Sequence, residues 1–303
     1  MHIAMTAGCA GLLLATGALG LYSPALPAPM TSAVLESDFS PDTIVLPGKV
    51  RDFRPISSGV PHPDFNNPAL NGPYCRYVKL TLDADGKPEY SPGTGYRVSK
   101  EWRDSDNNKI AWCLYDPTKG DSAGTWGAAS NGAVTSAETF AQWFRDVKDV
   151  NLATWYDLVL TKIPNGPYAG CWSFETNDFH PFLPIEHKLH GNGNDQHNWF
   201  FTYELVAEFT YQQDAGQFIR FKGDDDTWIF IDGKLVMDHG GIAGSREYFV
   251  KFDRLGLTHG QTYDMRFFHA DRKQPQSQFH LWTNVPFRPV TGQAQINVSP
   301  VSD

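Results

Sequence analysis

The stretch TWIFIDGKLVM, residues 227–237, constrains the chain more than any other. Two short apolar runs flank Asp232-Gly233, a pair that suits a two-residue type I′ turn because both central residues of that turn take positive φ. Within them WIFI and LVM are apolar at consecutive positions rather than at alternate ones, so each strand of this hairpin expects cover on both faces. Further runs with strand character, at 43–53, 74–82, 154–161, 199–211, 216–222, 246–252, 261–269 and 278–285, are separated by Gly, Pro and Asn. So many short strands predict an all-β sandwich. With 303 residues, 41% hydrophobic and 14% aromatic, the chain has ample material for its core.

One helix is expected, in TSAETFAQWFRDV (135–147). Thr135 and Glu138 have capping-box spacing, and Phe140, Trp143, Phe144 and Val147 follow at helical intervals. No polar group converges on that stripe, so it reads as core packing.

Residues 3–20 carry no charge and end in Ala18-Leu19-Gly20, which reads as a secretory signal over 1–20. A linker (21–41), one domain (42–287) and a flexible tail (288–303) complete the expected organisation. Export makes Cys75, Cys113 and Cys171 candidates for one disulfide, with Cys75–Cys113 preferred. The formal charge of −9, without a basic footprint, argues against DNA or RNA as partner.

Immediately before the hairpin stand Asp224, Asp225 and Asp226. Like charges at contact distance repel, so a folded triplet needs solvent, protons or a cation. Aiming two adjacent carboxylates the same way takes an unusual backbone, for instance a cis peptide between them. Calcium suits such a loop, because it accepts 6–8 oxygen ligands in irregular geometry. A solvated turn with one aspartate capping N–H groups is an equal alternative on residue chemistry alone.

Other constellations are weaker. EHKLHGNGNDQH brings Glu186, His187, His190, Asp195 and His197 close in sequence but lacks the spacing of a helical zinc motif, so it reads as a loop. VRDF and HPDF, at 50–53 and 62–65, read as ion pairs and turn bonds that pin the first strand. Asp83 and Asp85 before Gly86 read as a hairpin turn. The tandem Gly240-Gly241 reads as a close backbone approach to the aspartate loop. Adjacent aspartates cannot straddle a sugar ring as glycosidase carboxylates must, and no nucleophile motif occurs, so no enzyme is expected.

Several ordered motifs resemble the fibro-slime domain, a branch of the protective-antigen-type β-sandwich superfamily. They are FKGDDDTWIFIDGKLVMDHGG, DRLGLTHGQTYDMRFFHADR and SQFHLWTN, with VRDF, HPDF, DGKPEY, FAQWFRDV and HNWFFTYELVAEFTY upstream. The resemblance implies a jelly-roll-like antiparallel β-sandwich with one short helix and long loops, usually noncatalytic and secreted. In the related yeast adhesins two adjacent aspartates joined by a cis peptide hold a calcium ion that coordinates sugar hydroxyls. By position this implies Asp224, Asp225 and Asp271 as Ca2+ ligands. Gln274, Gln276 and Gln278 are implied as sugar contacts, Asp226 as a further loop contact, and Trp228 or Trp282 as stacking platforms.

The expected function is a secreted, calcium-dependent carbohydrate-binding or adhesive domain whose partners are glycans or matrix polysaccharides at the cell surface. The alternative is a noncatalytic matrix component, appendage component or signalling factor in which calcium only stabilises loops.

Overall fold

The computed structural model describes residues 41–91, 95–128, 132–181 and 197–290. The expected signal segment, most of the linker, residues 186–195 of the histidine-rich loop and the tail beyond 290 lie outside them. The chain opens with β1 (Thr43–Phe53) and continues through five short strands, β2 (Tyr74–Cys75), β3 (Tyr96–Lys100), β4 (Trp102–Arg103), β5 (Lys109–Ile110) and β6 (Thr125–Ala128). After the single turn of helix α1 (Ala137–Phe140) come β7 (Asn151–Lys162), β8 (Trp172–Thr176), β9 (Phe201–Thr210), β10 (Phe218–Gly223), β11 (Asp226–Ile231) and β12 (Lys234–His239). Then follow β13 (Arg246–Lys251), β14 (Thr262–Asp271), β15 (Phe279–Thr283) and β16 (Arg288–Pro289).

The main sheet is antiparallel and runs β12-β11-β14-β9-β1-β7-β8-β15-β10-β13, with β16 added to β9. Its two end strands, β12 and β13, come back into contact, so the sheet curls almost into a barrel around one core. This is the expected all-β sandwich in a nearly closed form.

Inside lie alternate residues of nearly every strand, among them Leu46, Tyr203, Phe221, Ile229, Ile231, Val250, Phe267 and Leu281. The intervening residues of the hairpin side, Trp228, Phe230, Leu235, Phe268 and Ala270, belong to a second cluster with Phe53, Phe65, Tyr77, Phe140, Trp143 and Phe144. The 54–150 segment therefore covers the outer face of β11, β12 and β14. That cover is why β11 is apolar at consecutive positions and buried throughout. The turn is as expected, with φ of 52° at Asp232 and 68° at Gly233.

Four expectations are corrected. The helix is one turn, not 135–147, and its capping box joins Ser136 to Thr139. The Thr135 N–H instead donates to Asp64 Oδ1 at 2.6 Å. Asn151 donates to the Arg145 and Gln142 carbonyls, tying off the turns that follow the helix. The aromatic stripe is nevertheless core, with Trp143 fully buried.

The strand expected at 74–82 stops at Cys75, because Arg76 takes φ of 67° and tucks its guanidinium 4.8–4.9 Å from the rings of Tyr96, Trp112 and Trp126. The disulfide is also absent: Cys75, Cys113 and Cys171 are free thiols. Cys75 Sγ donates to the Tyr96 carbonyl and Cys113 Sγ to that of Leu235, in separate apolar surroundings.

The fourth correction concerns strands that sequence patterning missed. β3 and β6 carry mostly exposed residues, and β8 is only partly buried, so none shows a clear apolar pattern.

Candidate functional site

β10 and β11 are joined by Asp224 and Asp225, and the peptide bond between these two aspartates is cis. The loop from β14 to β15 faces them, and it carries a cis Gln274–Pro275 bond. Main-chain hydrogen bonds lock the loops together: the Asp224 N–H donates to the Gln278 carbonyl at 3.3 Å and the Asp225 N–H to that of Ala270 at 3.2 Å. Between them lies a cavity of about 220 Å³ lined by Asp224, Asp225, Ile242, Ala243, Gly244, Lys273, Gln274, Pro275 and Gln276. Gly244, Gln274, Pro275 and Gln276 form its exposed rim.

The carboxylates differ in how well they are satisfied. Asp224 Oδ1 accepts from the Gln278 N–H at 2.6 Å, while its Oδ2 is buried without a partner. Asp225 accepts from the Ala243 N–H at 3.2 Å and the Arg272 N–H at 3.0 Å. Asp271 is fully buried; its Oδ1 accepts from the Lys273 N–H at 3.4 Å, and its Oδ2 has no hydrogen-bond partner among the described residues.

Burial pushes the Asp224 carboxyl up to about 6, against the Gln278 N–H that favours its charged form. Asp225 is pushed up to about 8, by burial first and then by the negative charges of Asp226 and Asp224. Asp271 rises well above the ordinary carboxylate range, by burial first and by Asp225 next. The three groups are thus one electrostatic cluster. Two unpartnered carboxylate oxygens in buried positions are what a hard cation would satisfy, and every donor in the set is oxygen. The chemistry of the donor set, oxygen throughout, suits calcium.

Gln274 and Gln276 line the same cavity. Gln278 contributes through its main chain. Two expected contacts are corrected. Asp226 faces the second core cluster, where Arg272 Nε donates to its Oδ2 at 2.6 Å and Arg272 Nη2 to its Oδ1 at 3.3 Å. Tyr77 and the Gly241 N–H also donate to Oδ1, so its carboxylate is consumed by structure. Trp228 is fully buried and its indole N–H donates to Asp238 Oδ1 at 3.1 Å, which leaves no ring face for a sugar. Trp282 is half-buried, with its N–H on Glu175 at 2.7 Å and the Arg220 guanidinium 5.7 Å from its ring.

Arg272 is the residue that sequence reasoning missed. Its N–H orients Asp225, its guanidinium neutralises Asp226 and donates to the Ala133 carbonyl at 3.0 Å, and it lies 4.8 Å from the Trp143 ring. The signal was available in its spacing from Phe268 and Ala270, which puts it in their layer. Gly241 has φ of 93°, and a Cβ there would lie 2.1 Å from the Gly72 carbonyl oxygen, so the tandem glycines do permit a close approach, though to Asp226 rather than to the cavity.

The motifs set aside as structural are structural. Asp64 accepts from Thr135 and the Trp143 indole, and Arg51 pairs with Glu204 at 3.0 Å. Asp83 accepts from the Asp85 and Lys87 N–H groups in a turn.

Comparison with known proteins matches residues 188–287 to the PA14 domain, a span that includes the aspartate loop, its facing loop and both hairpin strands. This segment is similar to a PA14 domain. PA14 is the protective-antigen-type β-sandwich, a carbohydrate-binding or adhesive type of domain. Three similar proteins come from Dictyostelium discoideum. Protein psiD is 31% identical over 83% of this chain and 43% of its own length, and protein psiC is 30% identical over 82% and 42%. Protein psiR is 28% identical over 84% of this chain and 22% of its own. The chain thus spans less than half of each of these relatives. Among solved structures, a β-glucosidase from Kluyveromyces marxianus has a TM-score of 0.21 at 14% identity over 28% of this chain and 11% of that one, too little to carry an inference.

Proposed function

We propose that this PA14-containing chain is a secreted, noncatalytic domain that binds glycans through a calcium ion held by Asp224, Asp225 and Asp271. The observation that carries this reading is the pair of buried, unpartnered oxygens, Asp224 Oδ2 on a residue that lines the cavity and Asp271 Oδ2 on a carboxylate electrostatically coupled to Asp225 and Asp224. Three carboxylates supply about half of calcium's 6–8 oxygens, so the remaining positions suit main-chain carbonyls, water or vicinal sugar hydroxyls. The cavity is smaller than the roughly 300–1,000 Å³ of a drug-sized site, which favours a terminal sugar residue over an extended chain. Gln274 and Gln276 would then meet the outward hydroxyls. The uncharged run at 3–20 supports export.

The test is calcium titration followed by a glycan array, on wild type and on Asp225→Asn. Calcium should raise the melting temperature of wild type with the logarithm of its concentration above Kd, and leave the variant unmoved. Glycan binding should vanish in chelator and in the variant. Equal calcium responses in both proteins would move the ion elsewhere. Calcium binding without any glycan binding would favour a matrix component stabilised by the ion.

A further inference from the structure

At the end of β8, Asp178, His180 and His197 converge, with one ligand atom from each lying within 4.8 Å of the other two. This cluster is separate from the aspartate cavity and shares no side chain with it. His180 is buried, His197 is partly covered, and Asp178 is exposed.

The hydrogen bonds fix how the rings are presented. His180 Nδ1 lies 2.7 Å from the Asn198 carbonyl oxygen, which can only accept, so Nδ1 carries a proton and donates it. The Asn198 N–H also approaches Nδ1, at 3.3 Å, but the shorter contact decides. The other nitrogen, Nε2, faces Asp178 Oδ1 at 2.7 Å, and His197 Nε2 faces the same oxygen at 3.3 Å. Two imidazole nitrogens thus point at one carboxylate oxygen, and one ring is held from behind by a main-chain carbonyl. That is how a metal-ligating histidine is usually oriented. The His180 and His197 rings are nearly perpendicular, at 81° with centroids 4.7 Å apart, and His197 is stacked on Trp199 with an interplanar angle of 9°.

We propose that Asp178, His180 and His197 form a second metal site, for a borderline divalent cation of the zinc type. Nitrogen and oxygen ligands 2.0–2.2 Å from tetrahedral zinc stand about 3.3–3.5 Å apart. The His197–Asp178 separation already has that value, and the His180–Asp178 contact needs to open by about 0.6 Å, which the exposed Asp178 side chain can supply. Two imidazoles and one carboxylate leave the fourth position for water or an incoming ligand. The donor set separates this site from the other, because a hard ion such as calcium prefers oxygen alone. Asp178 pairs in a β-bridge with Ser277, the residue before Gln278, so the cation would brace the strand end that holds Asp224.

The probe is Co2+, with Zn2+ as competitor, on full-length protein stripped of metal and carrying Asp225→Asn to silence the calcium site. One equivalent of Co2+ should give visible d–d absorption of a tetrahedral or five-coordinate ion, and Zn2+ should displace it. His197→Gln and Asp178→Asn change residues that reach the surface and should stay folded, while each weakens Co2+ binding at least ten-fold. Absence of the absorption would overturn the proposal. So would a Co2+ affinity unchanged from the parent protein in both variants, which would place the ion at other residues. A His180 imidazole that titrates as a proton-holding partner of Asp178, with NMR shifts indifferent to added Zn2+, would show an ion pair and no metal site.

Discussion

The sharpest prediction concerns Asp226 and Arg272, both wholly buried at the back of the carboxylate cavity. Removing one partner of such a pair leaves an uncompensated charge in an apolar layer, which costs about 3–5 kcal/mol. Asp226→Asn also weakens what Tyr77 and the Gly241 N–H donate to, whereas Arg272→Met keeps the main-chain N–H that orients Asp225. Each single variant should therefore lose about 3–5 kcal/mol in urea unfolding, or roughly 6–20 °C in melting temperature for a domain of this size. The double variant should fall short of the summed losses by about 2 kcal/mol or more, because the two charges fail together. All three should retain the calcium-dependent rise in melting temperature, since neither side chain reaches the cavity. Additive losses, singles within about 1 kcal/mol of wild type, or an Asp226→Asn protein blind to calcium would refute the structural role assigned here.

Two further outcomes follow from burial. Between pH 6.5 and 8 the folded protein in chelator keeps protons on Asp225, pushed up to about 8, and on Asp271, that the unfolded chain has already lost. Stability in chelator should therefore fall as pH rises through that window, by up to about 1.4 kcal/mol per pH unit for each such group, and stay level with saturating calcium. Urea unfolding at several pH values checks this, and a rise with pH in chelator would contradict it. Trp228→Phe gives up the indole bond to Asp238 and should cost about 1–3 kcal/mol while leaving glycan affinity unchanged. A selective loss of glycan binding in that variant would return the ring to the ligand site.

Most strands of the curled sheet were legible because their apolar runs end at strong turn residues. β1 falls at Thr43–Phe53 as expected, and the second run of the expected hairpin is β12, which extends to His239. Apart from β8 and β16, what failed lies in the covering segment. There β3 shows one buried residue in five, and no periodic signal survives in a strand whose faces both meet water. Arg76 ended its strand through a contact with three aromatic rings brought from distant positions, a cause that no local pattern contains. The helix was overread because aromatic residues at helical spacing also suit a chain of turns pressed on the outer face of the sheet.

The aspartate triplet shows where legibility ends within a single motif. In a strand, side chains two apart share a face. Asp226 opens β11 and so shares the face of Trp228 and Phe230, both in the outer core layer. On the paired strand β14, Phe268 and Ala270 lie in that same layer, Ala270 opposite Asp226, and the next residue in step is Arg272. Alternation alone therefore sends Asp226 and Arg272 into one apolar layer, where two opposite charges can persist only as a hydrogen-bonded pair. Asp224 and Asp225 precede the strand and escape that alternation, so the loop backbone is free to turn their carboxyls toward Asp271. What the sequence withheld was the register between β11 and β14, and without it the third aspartate could not be told from the first two.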